Sequence, residues 1–459
     1  MDDYQLGFNS ATDNYAYIAE KGLSEKLVRD ISKRKNEPRW MLQIRLLALK
    51  QYEKMPIPTW GPDLTKINFE DIYYYLKPVN KPYETWEQVP DNVRKVFDAI
   101  GVPQAEKMML AGVGNQYDSE VIYHSLQKVL AKKGVVFLSM DEGLKQYPEI
   151  VKKYFGKIVP YGDNKLAALN TAVWSGGSFV YIPKNVVVDL PLQAYFRINS
   201  ENAGQFERTL IVAEEGSKVH YVEGCSAPAF SSASLHAAVV EVAVKEKAKV
   251  RYTTVQNWYK TVYNLVTKRA IVETDATMEW IDCNLGSKLT MKYPSCVLMG
   301  ERAHGEMLSI AVASEGQILD TGAKMIHLAP HTTSKITNKS ISRGGGRNSY
   351  RGQIKITPQA EGSRSKVVCD ALILDEKSRS DTYPNNQIMT NQATLEHEAY
   401  VSRIGEEQIL YLMSRGMKQS EAEGMIIKGF LDPIMAELPM EYAVELNRLV
   451  RFEMVGSVG

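Results

Sequence analysis

The chain has 459 residues, of which 55 are lysine or arginine and 54 are aspartate or glutamate, so its formal net charge is +1. This balance argues against a nucleic-acid-binding protein, which needs a clustered positive excess. A membrane protein is not expected either, because no stretch approaches the roughly 20 apolar residues of a membrane span.

The first third of the chain, residues 1–160, is predicted to be mixed and mostly helical. Ser24 is placed to cap a helix in EKLVRDISKRK, and Pro38 to open one in RWMLQIRLLALKQYEKM. A third helix is predicted over SEVIYHSLQKVLAKKG, from Ser119 to Gly134. GVVFLSM is then predicted as a strand and DEGLKQYPEIVKKYFG as a helix.

From about Trp174 the pattern changes to an alternation of period two, which is typical of strands. A unit of one small, one polar and one apolar residue recurs at successive strand starts, separated by 31, 28, 29, 29 and 31 positions. The units begin at Ser217, Ala248, Ala276, Gly305, Ser334 and Ser365. Repeats of this size without helices between them favour a mainly β fold, a β-solenoid over residues 161–402. A sandwich or barrel with accidental spacing is the alternative.

After Arg403 the pattern becomes helical again, and residues 403–459 are predicted as a C-terminal helical domain. EEQILYLMSRG carries an apolar stripe, and Gly416 suits the end of its helix. The segment contains more apolar side chains than such short helices bury among themselves. Two explanations stay open: a partner's groove takes the surplus, or the helices cap the open end of the β domain.

Three common catalytic motifs are absent from the sequence. It contains no G-x-x-x-x-G-K-[ST], so the chain is not expected to hydrolyse nucleotide through a P-loop of its own. H-E-x-x-H and G-x-S-x-G are also missing. The acidic, polar N-terminal stretch does not have the character of a secretory signal. The cysteines are therefore expected to be reduced thiols in the cytoplasm.

The cysteines differ in their surroundings. Cys283 and Cys296 lie in apolar strands and are interpreted as core residues. Cys225, in the turn-like EGCSAPAF, and Cys369, in VVCDALIL, are less typical of a core. None belongs to a C-x-x-C pair, so a metal site would have to gather ligands from distant parts of the chain.

A candidate metal site lies in QATLEHEAY, where Glu396, His397 and Glu398 are consecutive. On a strand the two glutamates would share one face and His397 would lie on the other. Cys369 precedes His397 by 28 positions, about one repeat, so stacked coils are expected to make them neighbours. A thiol, an imidazole and two carboxylates would then meet in one site. The alternative is a solvated edge strand.

A set of side chains with polar groups in the β region would need hydrogen-bond partners if they were buried inside a solenoid. They would then form a network or line a channel; otherwise they face solvent. These residues are Arg197, Asn199, Gln256, Trp258 and Lys268.

Several long motifs resemble those of the SufB family, the scaffold subunits of the Suf iron–sulfur cluster assembly system. They include GCSAP, TVQNWY, YPSCVLMGERAHGEMLSIA and QATLEHEAYVSRIGEEQILYLMSRGM, and the resemblance runs from about residue 20 to the final VGSVG. It implies a right-handed parallel β-helix between helical ends. It also implies a SufC-type ABC ATPase at the C-terminal helices and a SufD-like paralogue, or a second SufB copy, paired through the β-helix. A cysteine desulfurase or sulfur carrier would be the donor, and apo-proteins the recipients.

The resemblance also implies roles for individual residues. Cys225 would accept persulfide sulfur, and cationic groups near the path would favour the sulfur anion. Cys369, His397, Glu396 and Glu398 would hold a transient 2Fe–2S or 4Fe–4S cluster at the subunit interface. The path between the cysteines would be lined by Arg197, Asn199, Gln256, Trp258 and Lys268. Whether reduced flavin takes part in the complex is left open.

The expected function is assembly scaffolding rather than enzyme catalysis, with ATP hydrolysis in the SufC partner. Many family members carry an N-terminal cysteine-rich motif, but here no cysteine precedes Cys225, so that motif is not a required ligand set. The segment before Lys268 is shorter than expected for some relatives. A SufD-like structural subunit without its own cluster is the main alternative. A polysaccharide-acting solenoid enzyme is disfavoured, because no export signal or charged cleft is evident.

Overall fold

Two long β-sheets with helices around them make up most of the described chain. A computed structural model describes residues 15–78, 110–227 and 233–436. Its helices span Glu25–Arg34, Arg39–Lys54, Lys128–Lys132, Met140–Gln146, Pro148–Tyr154, Lys165–Val173, Glu406–Ser414 and Gln419–Met435, with a short 3-10 helix at Phe69–Asp71. None of the helices in these ranges is both long and apolar enough to cross a membrane.

The strands in the same ranges are numbered in chain order. They are β1 Tyr17–Ile18, β2 Leu76–Lys77, β3 Gly112–Tyr117, β4 Glu120–Leu126, β5 Val136–Ser139, β6 Ser178–Ile182, β7 Leu192–Arg197, β8 Gly204–Gln205, β9 Arg208–Ala213, β10 Lys218–Ser226, β11 Ser234–His236, β12 Val239–Val244, β13 Lys249–Trp258, β14 Val262–Val272, β15 Thr277–Gly286, β16 Leu289–Lys292, β17 Ser295–Leu298, β18 His304–Ala313, β19 Ile318–His327, β20 Thr333–Ser342, β21 Arg347–Ile356, β22 Arg364–Ile373, β23 Arg379–Ile388 and β24 Thr394–Arg403.

The strand order confirms the predicted β-solenoid. The first sheet has the order β24-β22-β20-β18-β15-β13-β10-β7-β3-β4, and the second the order β23-β21-β19-β16-β14-β12-β9-β6-β5. From β6 onward the strands of each sheet are parallel, and the chain passes alternately from one sheet to the other, giving about eight coils. The alternative of a sandwich or barrel with accidental spacing is therefore wrong.

The predicted repeat matches the observed register with one correction. Lys218 pairs with Lys249, Lys249 with Thr277, and Ser334 with Ser365, as the spacing of the units predicts. Between β15 and β18, however, Gly305 pairs with Met278 rather than with Ala276. Because side chains alternate with a period of two, this two-residue difference leaves every residue on its predicted face.

One predicted helix is wrong. Residues 120–126 form strand β4, which pairs antiparallel with β3, and only Lys128–Lys132 is helical. The hairpin turns at Asp118, which has a left-handed φ of 49°. Its carboxylate accepts a hydrogen bond from the backbone N–H of Asn199 at 2.7 Å. This contact with a distant segment holds the turn and overrides the local preference for helix.

The other N-terminal predictions agree with the structure. Ser24 accepts a hydrogen bond from the Leu27 N–H at 3.2 Å and begins Glu25–Arg34. Pro38 directly precedes the helix Arg39–Lys54. The helix predicted after strand β5 is divided at Tyr147, because Pro148 begins a second helix. The predicted boundary at residue 160 lies between helices, and strand β3, before it, already belongs to the first sheet.

A buried glutamate, itself paired with an arginine, joins the N-terminal region to the second sheet. Glu241 on β12 accepts backbone hydrogen bonds from Gly156, Ile158 and Val159 at 2.9–3.0 Å. It also accepts from the Arg208 Nε at 3.1 Å, and both side chains are fully buried.

Replacing Glu241 with glutamine is expected to destabilise the protein by about 3–5 kcal/mol, because it leaves the Arg208 charge buried without its counter-ion. Urea unfolding followed by circular dichroism measures the change. The matched control is Glu301→Gln, which removes an exposed pairing with Arg302 and is expected to cost under about 1 kcal/mol. Equal losses in the two variants would contradict the role given to Glu241.

The C-terminal helix Gln419–Met435 lies along the side of the solenoid. Its Ile427 and Leu431 pack with Ile281 and Val312 of the first sheet. In the described residues the helix therefore does not cap the end of the solenoid. The preceding helix exposes its apolar stripe, with Leu410 62% accessible to solvent, so the partner-groove explanation stays a prediction.

Candidate functional site

A buried polar network fills part of the space between the two sheets. Lys268 of the second sheet donates to Thr254 Oγ1 of the first sheet at 2.5 Å. Asn264 of the second sheet donates to Gln256 Oε1 of the first at 2.8 Å. These contacts across the gap define the inner face of each sheet. On the first sheet the inner positions are the even-numbered residues of β13 and β15 and the odd-numbered residues of β10 and β22.

One line of inner side chains, here called the polar row, crosses six consecutive strands of the first sheet in register. Its members are Glu223, Thr254, Asp282, Ser309, Asn338 and Cys369. Each is at most 4% exposed. Five strand spacings separate its two ends, roughly 24 Å. Within the described residues, Ser309 Oγ and Asn338 Oδ1 have no hydrogen-bond partner, which is unusual for buried polar atoms.

Cys225 lies beside the first member of the polar row. It follows Glu223 by two residues on β10, faces inward and is 2% exposed. Its Sγ donates to Glu223 Oε1 at 3.5 Å. Burial raises the pKa of Cys225 well above its usual range, and Glu223 and Glu207 raise it further. Lys268 and Lys292 act in the opposite direction without reversing the shift.

Cations lie near Cys225 as expected, but the pKa of its thiol is still raised, so they do not favour a sulfur anion on balance. The cations are present, but they are paired with carboxylates. Lys292 Nζ lies 3.0 Å from Asp282 Oδ2, and Lys268 Nζ lies 3.7 Å from both Asp282 Oδ1 and Glu223 Oε1. Burial acts to raise the pKa of Asp282, but the two lysines more than offset it and the pKa is lowered. Cys225 thus faces a charge-balanced network.

Cys369 forms the far end of the polar row. It is in register with Asn338 on one side and Ala399 on the other. Burial raises the pKa of Cys369 to about 12, and hydrogen bonding to Tyr350 of the second sheet opposes the shift. Cys369 is 4% exposed, and only the last coil, β23 and β24, separates it from the end of the described solenoid.

His397 shares the inner face with Cys369, one strand further along. It pairs in register with Val367 rather than with Cys369, whose own partner is Ala399. The true spacing of the coil is thus 30 residues here, and the two side chains are diagonal neighbours, with Cα atoms roughly 8 Å apart. His397 Nδ1 lies 3.3 Å from Asn386 Nδ2 of the second sheet. Burial lowers the pKa of His397, so the imidazole is neutral near pH 7.

Glu396 and Glu398 lie on the outer face of β24, as strand alternation predicts. Lys366, on the outer face of β22, contacts both carboxylates, at 3.2 Å for Glu396 and 3.9 Å for Glu398. The expectation that two carboxylates join the thiol and the imidazole in one pocket is therefore wrong for a single chain. Within the described ranges, no group of three or more His, Cys, Asp or Glu side chains is arranged to hold a metal ion.

The five residues predicted to line a path divide into two groups. Gln256, Trp258 and Lys268 lie between the sheets, each at most 2% exposed. Gln256 accepts from Lys292 at 3.1 Å, and the Trp258 ring lies 4.7 Å from that of His236. All five are buried, so the solvent-facing alternative is wrong.

Arg197, the last residue of β7, and Asn199, in the corner that follows, lie elsewhere. Arg197 is in register with Ser226, next to Cys225 but on the other face of the strand, and donates to its Oγ at 3.1 Å. The backbone of Asn199 donates to Asp118. The prediction that Arg197 lines the interior together with Gln256 is thus not met, because strand alternation turns Arg197 away from the interior. For Asn199 it stays a prediction.

The remaining cysteines agree with their interpretation as core residues. Cys283 faces outward on β15, among the apolar residues beneath the C-terminal helix. Cys296 faces inward on β17 in the apolar core. Burial raises the pKa of both thiols.

Sequence reasoning missed several members of the network. These are Glu223, Tyr252, Asp282, Lys292, Asn338 and Tyr350. The signal for Glu223 was available, because it precedes Cys225 by two residues and so shares its face. Lys292 and Tyr350 belong to the opposite sheet, and nothing local in the sequence brings them to Asp282 and Cys369.

The last coil leaves the edges of both sheets uncovered by other described strands. β23 and β24 are the end strands of their sheets, and Tyr400 and Val401 are 60% and 58% exposed. An edge strand presents unpaired backbone groups that another chain can bind.

Two family models match the chain. The model described as SUF system FeS cluster assembly, SufBD core domain, matches residues 196–430, and the SufBD protein N-terminal region matches residues 28–194. Relatives from Staphylococcus aureus strain USA300 and Staphylococcus haemolyticus strain JCSC1435 are both described as iron–sulfur cluster assembly SufBD family proteins. Each is 57% identical over 457 residues, which cover 100% of this chain and 98% of the relative.

Proposed function

We propose, from the premise that this chain belongs to the SufBD family of iron–sulfur cluster assembly proteins, that it is a scaffold on which new clusters are built. Cys225 accepts sulfur as a persulfide. An electron donor outside this chain reduces the persulfide by two electrons, which breaks the S–S bond and releases sulfide while the Cys225 thiolate is regenerated. The sulfide travels between the sheets to Cys369, where it is combined with iron. Iron, sulfur and the finished cluster are substrates and product, and the cluster is passed on to apo-proteins.

The observation that carries this proposal is the polar row. It joins the neighbourhood of Cys225 to Cys369 through the interior, in register and away from solvent. A polar sulfur species crossing an apolar core would be strongly disfavoured. The partnerless atoms of Ser309 and Asn338 lie in the half of the row nearer Cys369 and supply hydrogen-bonding groups for it.

The receiving site suits a labile cluster. One thiolate from Cys369 and one imidazole from His397 leave most coordination positions of an iron–sulfur cluster unfilled. The uncovered strand edges beside them support a shared site, with further ligands from a second subunit, either a SufD-like paralogue or another copy of this chain. Glu396 and Glu398, on the outer face of the same edge strand, would contribute only in such an assembly.

A partner supplies the energy. The sequence has no P-loop, and the exposed apolar residues of Glu406–Ser414, among them Leu410 and Tyr411, support docking of a SufC-type ABC ATPase there. Movement of the bound ATPase would shift the subunits between closed and open states and expose the edge beside Cys369. A cysteine desulfurase or its sulfur carrier would be the donor.

A second candidate is a structural subunit of the SufD type. The lack of a three-ligand group within the described residues favours it, because such a subunit needs no metal site. The two candidates share the fold and the ATPase partner, and differ in whether Cys225 and Cys369 react.

Anaerobic co-expression with the ABC ATPase, followed by purification and iron and sulfide analysis, tests the proposal. We expect the ATPase to co-purify, and iron and acid-labile sulfide to be present in equal amounts. Truncation before Glu406 is the matched control for docking and is expected to lose the ATPase. A complex that binds the ATPase but takes up neither iron nor sulfur under donor-supplied conditions would favour the structural subunit instead.

A further inference from the structure

The proposed sulfur acceptor is held in a form that does not react. Burial keeps the Cys225 thiol protonated near neutral pH, and the thiolate is the nucleophile in sulfur chemistry. Some group in the buried interior is therefore needed to take the proton. The Cys225 S–H already donates to Glu223 Oε1 at 3.5 Å.

Two side chains besides Cys225 hold Glu223 in place. Tyr252 from the neighbouring strand β13 donates its hydroxyl hydrogen bond to Oε2. Lys268 from the opposite sheet lies 3.7 Å from Oε1, and its ammonium also lies 4.5 Å from the centre of the Tyr252 ring. Because Glu223 and Cys225 are two residues apart on one strand, their side chains share a face and stay within reach.

We propose that Glu223 is the proton acceptor that converts Cys225 to its thiolate for sulfur transfer. The inference rests on the proposed function, in which Cys225 accepts sulfur, and adds a catalytic residue to it. Tyr252 and Lys268 are positioning residues, which hold the carboxylate against the thiol.

The step is balanced for any donor R–S–SH. The thiol proton moves to Glu223, and the thiolate attacks the terminal sulfur of the donor. A Cys225 S–S bond forms, the donor S–S bond breaks, and R–S⁻ leaves with the electron pair. The sum is Cys–SH + R–S–SH + Glu–COO⁻ giving Cys–S–SH + R–S⁻ + Glu–COOH, with the sulfane sulfur transferred and no external oxidant needed.

Other charged groups face this pair from every neighbouring element. Tyr221 lies on the same strand, and Glu207 and Lys292 influence Cys225 from the second sheet and the corner leading into it. Glu207 is itself paired with His236. Asp282 lies two strands further along the polar row, balanced by the two lysines. It has the charge and burial of Glu223 but not the contact with the thiol.

The test is the rate of Cys225 persulfide formation in the full-length chain under nitrogen. Hydrogen disulfide, the smallest donor with R = H, is added at pH 6.5 to 9, and the alkylated Cys225 peptide is quantified by mass spectrometry. For Glu223→Gln we expect a rate lower by on the order of 100-fold at pH 7. The variant rate should rise about tenfold per pH unit, because its thiol must lose the proton to solvent.

The matched control is Asp320→Asn, which removes a carboxylate that is equally buried but is paired with Arg351 on the outer face of the second sheet. We expect its rate to lie within about threefold of the unsubstituted rate, with an unchanged pH profile. An equal loss in both variants would show that removing any buried carboxylate slows the reaction and would overturn the proposal. An unchanged rate and pH profile in Glu223→Gln would overturn it too.

Glu223→Asp keeps the proposal testable if Glu223→Gln does not fold. It preserves the charge but withdraws the carboxylate from Cys225, so we expect a native circular dichroism spectrum and at least a tenfold slower reaction. A native variant with the unsubstituted rate would contradict the proposal. If Cys225 gains no persulfide even in the unsubstituted protein, from hydrogen disulfide or from a cysteine desulfurase, the proposed function and this inference fall together.

Discussion

Replacing Cys369 with alanine is expected to abolish cluster formation on this chain. Cys369 is the thiol at the receiving end of the polar row, and it has His397 as a diagonal neighbour in the last coil of the described solenoid. Anaerobic reconstitution with ferrous iron and a sulfur donor, followed by absorbance and by iron and sulfide analysis, measures the loss. We expect under about a tenth of the unsubstituted yield, because an imidazole alone does not hold an iron–sulfur cluster.

Cys283→Ala is the matched control for that experiment. It removes an equally buried thiol, but one on the outer face beneath the C-terminal helix. Its cluster yield is expected to be unchanged. Full cluster formation in Cys369→Ala, or an equal loss in Cys283→Ala, would contradict the assignment of Cys369 as the assembly cysteine.

Asn338→Leu is expected to separate the two ends of the polar row. The substitution keeps a side chain of similar size but replaces a buried polar link, directly in register between Ser309 and Cys369, with an apolar one. Cys225 should still gain its persulfide at the unsubstituted rate. Cluster formation from that sulfur should fall at least tenfold, because a polar sulfur species would have to cross an apolar section.

Thr337→Leu is the neighbouring control, on the opposite face of the same strand. It adds the same side chain without entering the interior, and cluster formation is expected to be normal. If Asn338→Leu assembles clusters as fast as Thr337→Leu, sulfur does not travel along the polar row. Mass spectrometry of Cys225 in the same samples shows whether the donor step is intact.

The solenoid could be predicted because each of its repeats has a short sequence pattern of its own. Small residues at strand starts and alternating side chains fix the coil length and the inner face, and the two register errors, at Gly305 and at His397, were each of two residues and left the faces correct. Strand β4 could not be predicted in the same way. Its pairing with β3 depends on the turn at Asp118 and its contact with Asn199, which lies 81 positions later.

The candidate site was predictable along one sheet but not across the two. Cys369 and His397 share a face because they belong to neighbouring strands of the same sheet, and this follows from spacing alone. The same alternation places Glu396 and Glu398 on the outer face. The prediction of a single site with Cys369, His397 and both glutamates did not take this into account. The pairing of Asp282 with Lys292 depends on how the two sheets meet, which no local pattern specifies.

The most direct test follows one sulfur atom. Cys225 is loaded with isotopically labelled persulfide under nitrogen, the donor is removed, and ferrous iron and an electron donor such as dithionite are added with an excess of unlabelled sulfide in solution. We predict that the label leaves the Cys225 peptide and is recovered in the cluster held by Cys369. A label that stays on Cys225 while clusters form from the dissolved sulfide would contradict transfer through the interior.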